Sequence, residues 1–188
     1  MTTWPNILTI SRILLLPVLV ATFYVDPPSS NWAGMAVFTV AAVTDFFDGF
    51  LARALDQQSA FGRFLDPIAD KLLVAVTLLM LVAFGRISGV LVLAALVILG
   101  REIMVSGLRE FLAELRVSVP VSTLAKWKTA IQMFALGFLL VGDASPAIIP
   151  AVTIGSAGLW LAALLTLYTG VDYLRAGLHH ISGEDSAP

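Results

Sequence analysis

The sequence predicts an all-α fold, a polytopic membrane helix bundle of six transmembrane helices. Three observations carry that expectation. Hydrophobic residues make up 59% of the 188 residues and charged residues only 13%, more apolar surface than a soluble core of this size can hide. The mean hydropathy of +0.93 agrees. The apolar residues also fall into stretches near the roughly 17–25 residues a membrane helix needs, separated by short polar breaks.

The expected helices cover residues 6 to 25, 32 to 54, 67 to 85, 88 to 108, 123 to 142 and 149 to 176. The first is interrupted only by Arg12 and stops at Asp26-Pro27-Pro28-Ser29-Ser30-Asn31, where prolines cannot continue a helix. No small-residue cleavage site follows a short apolar core, so this segment reads as a retained helix, not a signal peptide. The later breaks are Gln57-Gln58-Ser59, Gly85 to Gly89, Arg116 to Ser122 around Pro120, and Asp143-Ala144-Ser145-Pro146. Short connections, with no fixed-period repeat, imply a single domain over residues 1 to 188 with a polar tail from about residue 178.

Charge placement gives the orientation. Arg12, Arg53, Arg63, Lys71, Arg101, Arg109, Arg116, Lys126, Lys128 and Arg175 fall on the N-terminal side of a six-span chain, and Arg86 alone falls opposite. The excess of positive charge puts both termini in the cytoplasm. A net charge of −2 gives no reason to expect a nucleic acid partner. The absence of cysteine rules out a disulfide framework, a thiolate nucleophile or a thiolate metal site.

Asp45, Asp48, Asp66 and Asp70 stand in or beside the expected second and third helices, where an unpaired carboxylate is costly. Asp45, Asp48, Gly49, Ala52 and Arg53 fall within about 140° of one helical face. Gly49 and Ala52 leave room there for a ligand to approach the backbone. Asp66 and Asp70 are one turn apart and share a face. Four converging carboxylates need cations, and oxygen-only ligation suits hard divalent ions, Mg²⁺ or Mn²⁺; a pair of them would serve a phosphoryl displacement. For single residues there are plainer roles. Asp66 before Pro67 reads as a helix N-cap, and Asp45 and Asp48 can pair with Arg53 or Lys71.

The spacing D(x)2DG(x)2AR(x)8G(x)3D(x)3D, carried by Asp45, Asp48, Gly49, Ala52, Arg53, Gly62, Asp66 and Asp70, resembles the CDP-alcohol phosphotransferase signature at every fixed position. The resemblance implies that Asp45, Asp48 and Asp66 bind two metal ions. It implies that Asp70 adds a ligand and acts as the base that deprotonates the acceptor hydroxyl. Gly49, Ala52, Arg53 and Gly62 would flank the diphosphate and nucleotide of a CDP-activated lipid. Asn6, Thr9 and Arg12 share a side of the first helix by their three-residue spacing and are placed in the nucleotide cavity, with capping and topology as their alternative roles.

Asn6 to Arg12, Arg101 to Glu110 and Lys126-Trp127-Lys128-Thr129 are similar to segments of the bacterial phosphatidylglycerophosphate synthases within that family, although Ala125 stands where a glycine is expected. That similarity implies CDP-diacylglycerol as donor and glycerol 3-phosphate as acceptor, with Arg109, Lys126 and Arg101 as candidates for the acceptor phosphate. It also implies a bacterial inner-membrane homodimer with a cytoplasmic active site. Each cation has a plainer role: Arg101 paired with nearby acids, Arg109 bridging to Glu102, and Lys126 reaching lipid headgroups. Trp4 and Trp127 read as interfacial anchors. The alternatives are another acceptor (inositol phosphate, serine or phosphatidylglycerol) or, in a different class, a cation- or proton-coupled transporter using the four aspartates as a relay.

Overall fold

A computed structural model describes residues 4–54, 60–114 and 123–181. Six α-helices account for them: α1 (Trp4–Thr22), α2 (Ser29–Ala54), α3 (Ala60–Ala83), α4 (Leu91–Glu114), α5 (Thr123–Val141) and α6 (Ala151–Ile181), with a single 3-10 turn at Gly142–Ala144. The expected six-helix bundle is what forms, and the connections fall at the proline- and glycine-rich breaks. The tight α3–α4 turn uses Gly85 and Gly89 at φ 71° and 56°, a region that side-chain-bearing residues rarely occupy.

One element begins earlier than expected. Helix α3 starts at Ala60 and runs through Pro67, so Pro67 lies inside it and Asp66 is an interior helical residue, not an N-cap. A proline inside a helix leaves the carbonyl four residues back without its backbone donor. The helix continues because the preceding turn is already formed.

The core runs along the bundle axis through Leu19, Leu81, Ile98, Leu136, Leu139 and Leu159, all at most 1% exposed. Helix α5 packs along α6, α1 along α2, and α4 along α6, whereas α3 and α4, neighbours in sequence, share little contact. The α5–α6 approach is close because a Cβ on Gly155 would lie 2.7 Å from Leu139 Cγ and 3.1 Å from the Ala135 carbonyl oxygen. Small residues at such crossings are the usual means of bringing membrane helices together.

Leu91–Ala113 and Ala151–Arg175 are long and apolar enough to cross a membrane, and only 22% and 33% of their most apolar windows are buried. That low burial separates them from the core helix of a soluble protein, which is apolar because it is enclosed. Leu14, Leu79, Leu93, Leu96 and Leu164 point outwards at more than half exposure, a surface suited to lipid. Asn6–Thr22 is a shorter apolar helix.

Candidate active site

Polar side chains gather at the end of the bundle where α1 begins. Asn6, Thr9 and Arg12, one turn apart on α1, are all buried at 2% exposure or less. The Thr9 hydroxyl donates to Asp66 Oδ1 at 2.6 Å. Arg12 Nη1 donates to Asp45 Oδ1, and its Nη2 lies 3.8 Å from Asp66 Oδ1. One buried guanidinium therefore draws together a carboxylate from α2 and another from α3. The Asp45 and Asp66 side chains remain 45% and 42% exposed, so both are only half enclosed by the bundle. Gly62 is buried near the start of α3.

Two cavities meet at Asp70. The larger, about 720 Å³, is an apolar groove between α2 and α5 that begins at Asp45 and Asp70, passes Phe38 and Gly137, and ends near Trp32 and Ile149. The smaller, about 310 Å³, is polar and holds Asp70, Lys71, Arg101, Glu102, Arg109 and Lys128. Asp70 and Thr129 line both. The residue expected to act as base thus stands where an apolar compartment adjoins a cation-rich one.

The cations of the polar cavity are held from several sides. Lys128, buried on α5, donates to Glu102 Oε1 at 2.5 Å. Arg101 Nη1 lies 3.8 Å from the same oxygen, and Arg101 Nη2 reaches Thr169 Oγ1 at 3.4 Å. The guanidiniums of Arg101 and Arg109 lie 5.8 and 5.9 Å from the centre of the Tyr173 ring, within cation–π range. Lys71 donates to Ser106, joining α3 to α4.

Of the expected acceptor cations, Arg101 and Arg109 line the polar cavity and Lys126 does not. Lys126 is exposed, and Lys128 occupies the cavity wall in its place. Two residues along a helix are about 200° apart, so the pair cannot share a face. The signal was present in the sequence: Lys128 is four and eight residues from Gln132 and Leu136, and all three are buried. Glu102 and Tyr173 were not anticipated as parts of the site, and only tertiary packing brings Tyr173 from α6 against the two arginines. The side chains of Asp48, Gly49, Ala52 and Arg53 lie outside the described residues.

The donor set can be weighed against a divalent cation. Asp45, Asp66 and Asp70 offer carboxylate oxygens only, the chemistry that hard ions prefer, and two of them are half-exposed at one end of adjoining helices. Among the described residues no three acidic groups are close enough as placed to enclose an ion; Asp48 is the fourth member of the set. In donor type the residues fit.

Residues 2–168 match the family model for CDP-alcohol phosphatidyltransferase. This chain belongs to the CDP-alcohol phosphatidyltransferase family. Among relatives named CDP-diacylglycerol–glycerol-3-phosphate 3-phosphatidyltransferase, the Rickettsia bellii protein is 50% identical over 172 residues, covering 92% of this chain and 93% of the relative. The Pseudomonas fluorescens protein is 46% identical, covering 94% and 91%, and the Escherichia coli K12 protein is 43% identical, covering 92% and 93%. The crystal structure of Mycobacterium tuberculosis phosphatidylinositol phosphate synthase in apo form has the same fold, with a TM-score of 0.65 at 24% identity over 91% of this chain and 87% of that one. As a CDP-alcohol phosphatidyltransferase the chain is an enzyme, and the transporter alternative finds no support.

Proposed function

We propose that this enzyme transfers the phosphatidyl group of CDP-diacylglycerol to glycerol 3-phosphate, releasing CMP and forming phosphatidylglycerol phosphate. The supporting observation is the position of Asp70 at the junction of an apolar groove and a cation-lined polar cavity. A reaction that joins a lipid to a small anionic alcohol needs those two environments beside one base.

The acyl chains of the donor lie in the groove. On α2 it extends from Asp45 to Trp32, thirteen residues or about 20 Å of helix, and its wall is apolar for most of that length. The acceptor enters the polar cavity, where Arg101, Arg109 and Lys128 hold its phosphate through charge-assisted hydrogen bonds. Asp70 takes the proton from the attacking hydroxyl. The new oxygen–phosphorus bond forms as the bond from phosphorus to the CMP oxygen breaks, and Arg53 balances charge on the departing nucleotide.

Asp45, Asp48, Asp66 and Asp70 would hold two divalent ions, Mg²⁺ or Mn²⁺. When bound, such ions polarise the phosphoryl oxygens and neutralise the developing charge. Asn6, Thr9, Gly49, Ala52 and Gly62 frame the nucleotide, and Arg12 keeps Asp45 and Asp66 at one place. The chain functions as a single domain in a bacterial inner membrane, with both termini and the site cytoplasmic and with a second copy completing a homodimer.

Purified protein supplied with CDP-diacylglycerol, glycerol 3-phosphate and Mg²⁺ releases CMP, and a chelator stops the release until metal is restored. Acceptors supplied singly test the assignment. Faster turnover with inositol phosphate or serine than with glycerol 3-phosphate rules out this acceptor.

A further inference from the structure

Among the groups of the polar cavity that the scheme above leaves unused is a buried carboxamide. Gln132 lines the cavity, its side chain is only 1% exposed, and its carboxamide oxygen Oε1 has no hydrogen-bond partner among the described residues. A buried carbonyl without a donor is destabilising, and native proteins seldom leave one so placed without a ligand or water to meet it. The charged side chains of the cavity each have a protein partner: Lys128 and Arg101 in Glu102, Lys71 in Ser106, and the two guanidiniums in Tyr173.

Position adds to chemistry. Gln132 lies one turn beyond Lys128 on the same face of α5, with Thr129 between them. Helical side chains lean towards the helix N-terminus, so the Gln132 side chain reaches back towards Lys128, along the span a three-carbon phosphate ester would occupy. A phosphate held at Lys128, Arg101 and Arg109 would present the far hydroxyl of the acceptor to Asp70 and its middle hydroxyl to Gln132. The terminal torsion of glutamine is broad, so turning the carboxamide towards an arriving hydroxyl meets little resistance.

We propose that Gln132 is a specificity-determining residue, whose carbonyl oxygen accepts a hydrogen bond from the acceptor hydroxyl that does not react. The inference rests on the glycerol 3-phosphate reading above and deepens it. The cations read the phosphate, Asp70 deprotonates the reacting hydroxyl, and Gln132 reads the remaining one. Sites built to bond a substrate hydroxyl reject analogues that lack it, because the site's own polar group is then left unpaired.

The test compares two acceptors that differ by that hydroxyl alone, glycerol 3-phosphate and 3-hydroxypropyl phosphate. It uses full-length protein in mixed micelles with CDP-diacylglycerol and Mg²⁺, reading kcat/KM from CMP release. The wild type prefers glycerol 3-phosphate by at least about tenfold. In Gln132→Leu that preference falls below about threefold while the rate with 3-hydroxypropyl phosphate is nearly unchanged; Gln132→Glu, which keeps an acceptor oxygen, retains the preference. A parallel loss on both acceptors marks a merely structural residue and overturns the assignment, as does a preference that survives in Gln132→Leu or is missing from the wild type. Should Gln132→Leu not fold, Gln132→Met makes the same comparison. Wild-type turnover with neither acceptor refutes the proposed function as well, whereas normal turnover on glycerol 3-phosphate with no effect of Gln132 refutes this inference alone.

Discussion

The two ends of the bundle each hold a guanidinium, buried at Arg12 and half-buried at Arg86, and they treat it differently. Arg86, in the α3–α4 connection, donates to the Leu140 carbonyl at 2.6 Å and to Asn31 Oδ1 at 3.0 Å, and lies 5.0 Å from the centre of the Phe23 ring. Asn31 in turn donates to the Val141 carbonyl at 2.6 Å. Most of these partners are neutral, and together they fasten the ends of α2 and α5 beneath the turn that carries Arg86. At the opposite end Arg12 sits between two half-exposed carboxylates, and the cations beyond it border a cavity. Burying charge does not by itself make a site. An arginine enclosed by carbonyls and rings is a fastener, while charges whose partners are other charges facing open volume are arranged to receive something.

The largest expected effect that tests this contrast is at Asp70. Asp70→Asn lowers kcat for CMP release by about a thousandfold, in the range general bases supply, with the thermal midpoint in detergent little altered. An active Asp70→Asn enzyme would remove the base from the scheme.

Arg86→Met is the converse experiment. Loss of donors to a carbonyl and an amide costs about 2–3 kcal/mol, visible as a lower thermal midpoint, while kcat stays within about twofold of the wild type. Lost turnover with unchanged stability would give the far end a functional role.

Within the site, Lys128→Met raises KM for glycerol 3-phosphate by at least about tenfold, the consequence of losing a charged hydrogen bond. Lys126→Met, on the exposed face, changes it by less than about twofold. The reverse ranking, measured in the same titration, would return the phosphate to Lys126. The smallest effect is at Thr9→Val, which removes the 2.6 Å hydrogen bond to Asp66. It lowers kcat/KM severalfold, in line with the roughly 1 kcal/mol of one neutral donor.

Legibility in the sequence followed the physical origin of each feature. Helix existence rests on local hydropathy and on proline and glycine breaks, so all six helices were anticipated with ends displaced by a few residues. The start of α3 was missed because Asp66-Pro67 carries the local signature of a helix start, and only the helical turn that precedes it decides otherwise. Lys128 was legible through its periodicity with Gln132 and Leu136, whereas exposure is what sets Lys126 apart. The meeting of Arg12 with Asp45 and Asp66, and of Tyr173 with Arg101 and Arg109, joins residues far apart in the chain. No local pattern encodes such a contact.

By itself the sequence determined the helical class, the placement of the breaks and the chemical type of the site, because hydropathy and the spacing of the aspartates act over one or two helical turns. Tertiary structure alone decided which cations face the base, where the apolar groove adjoins the polar cavity, and that the Gln132 carbonyl meets no donor among the described residues. Those properties depend on how separate helices are rotated against one another, a choice set by packing across the bundle.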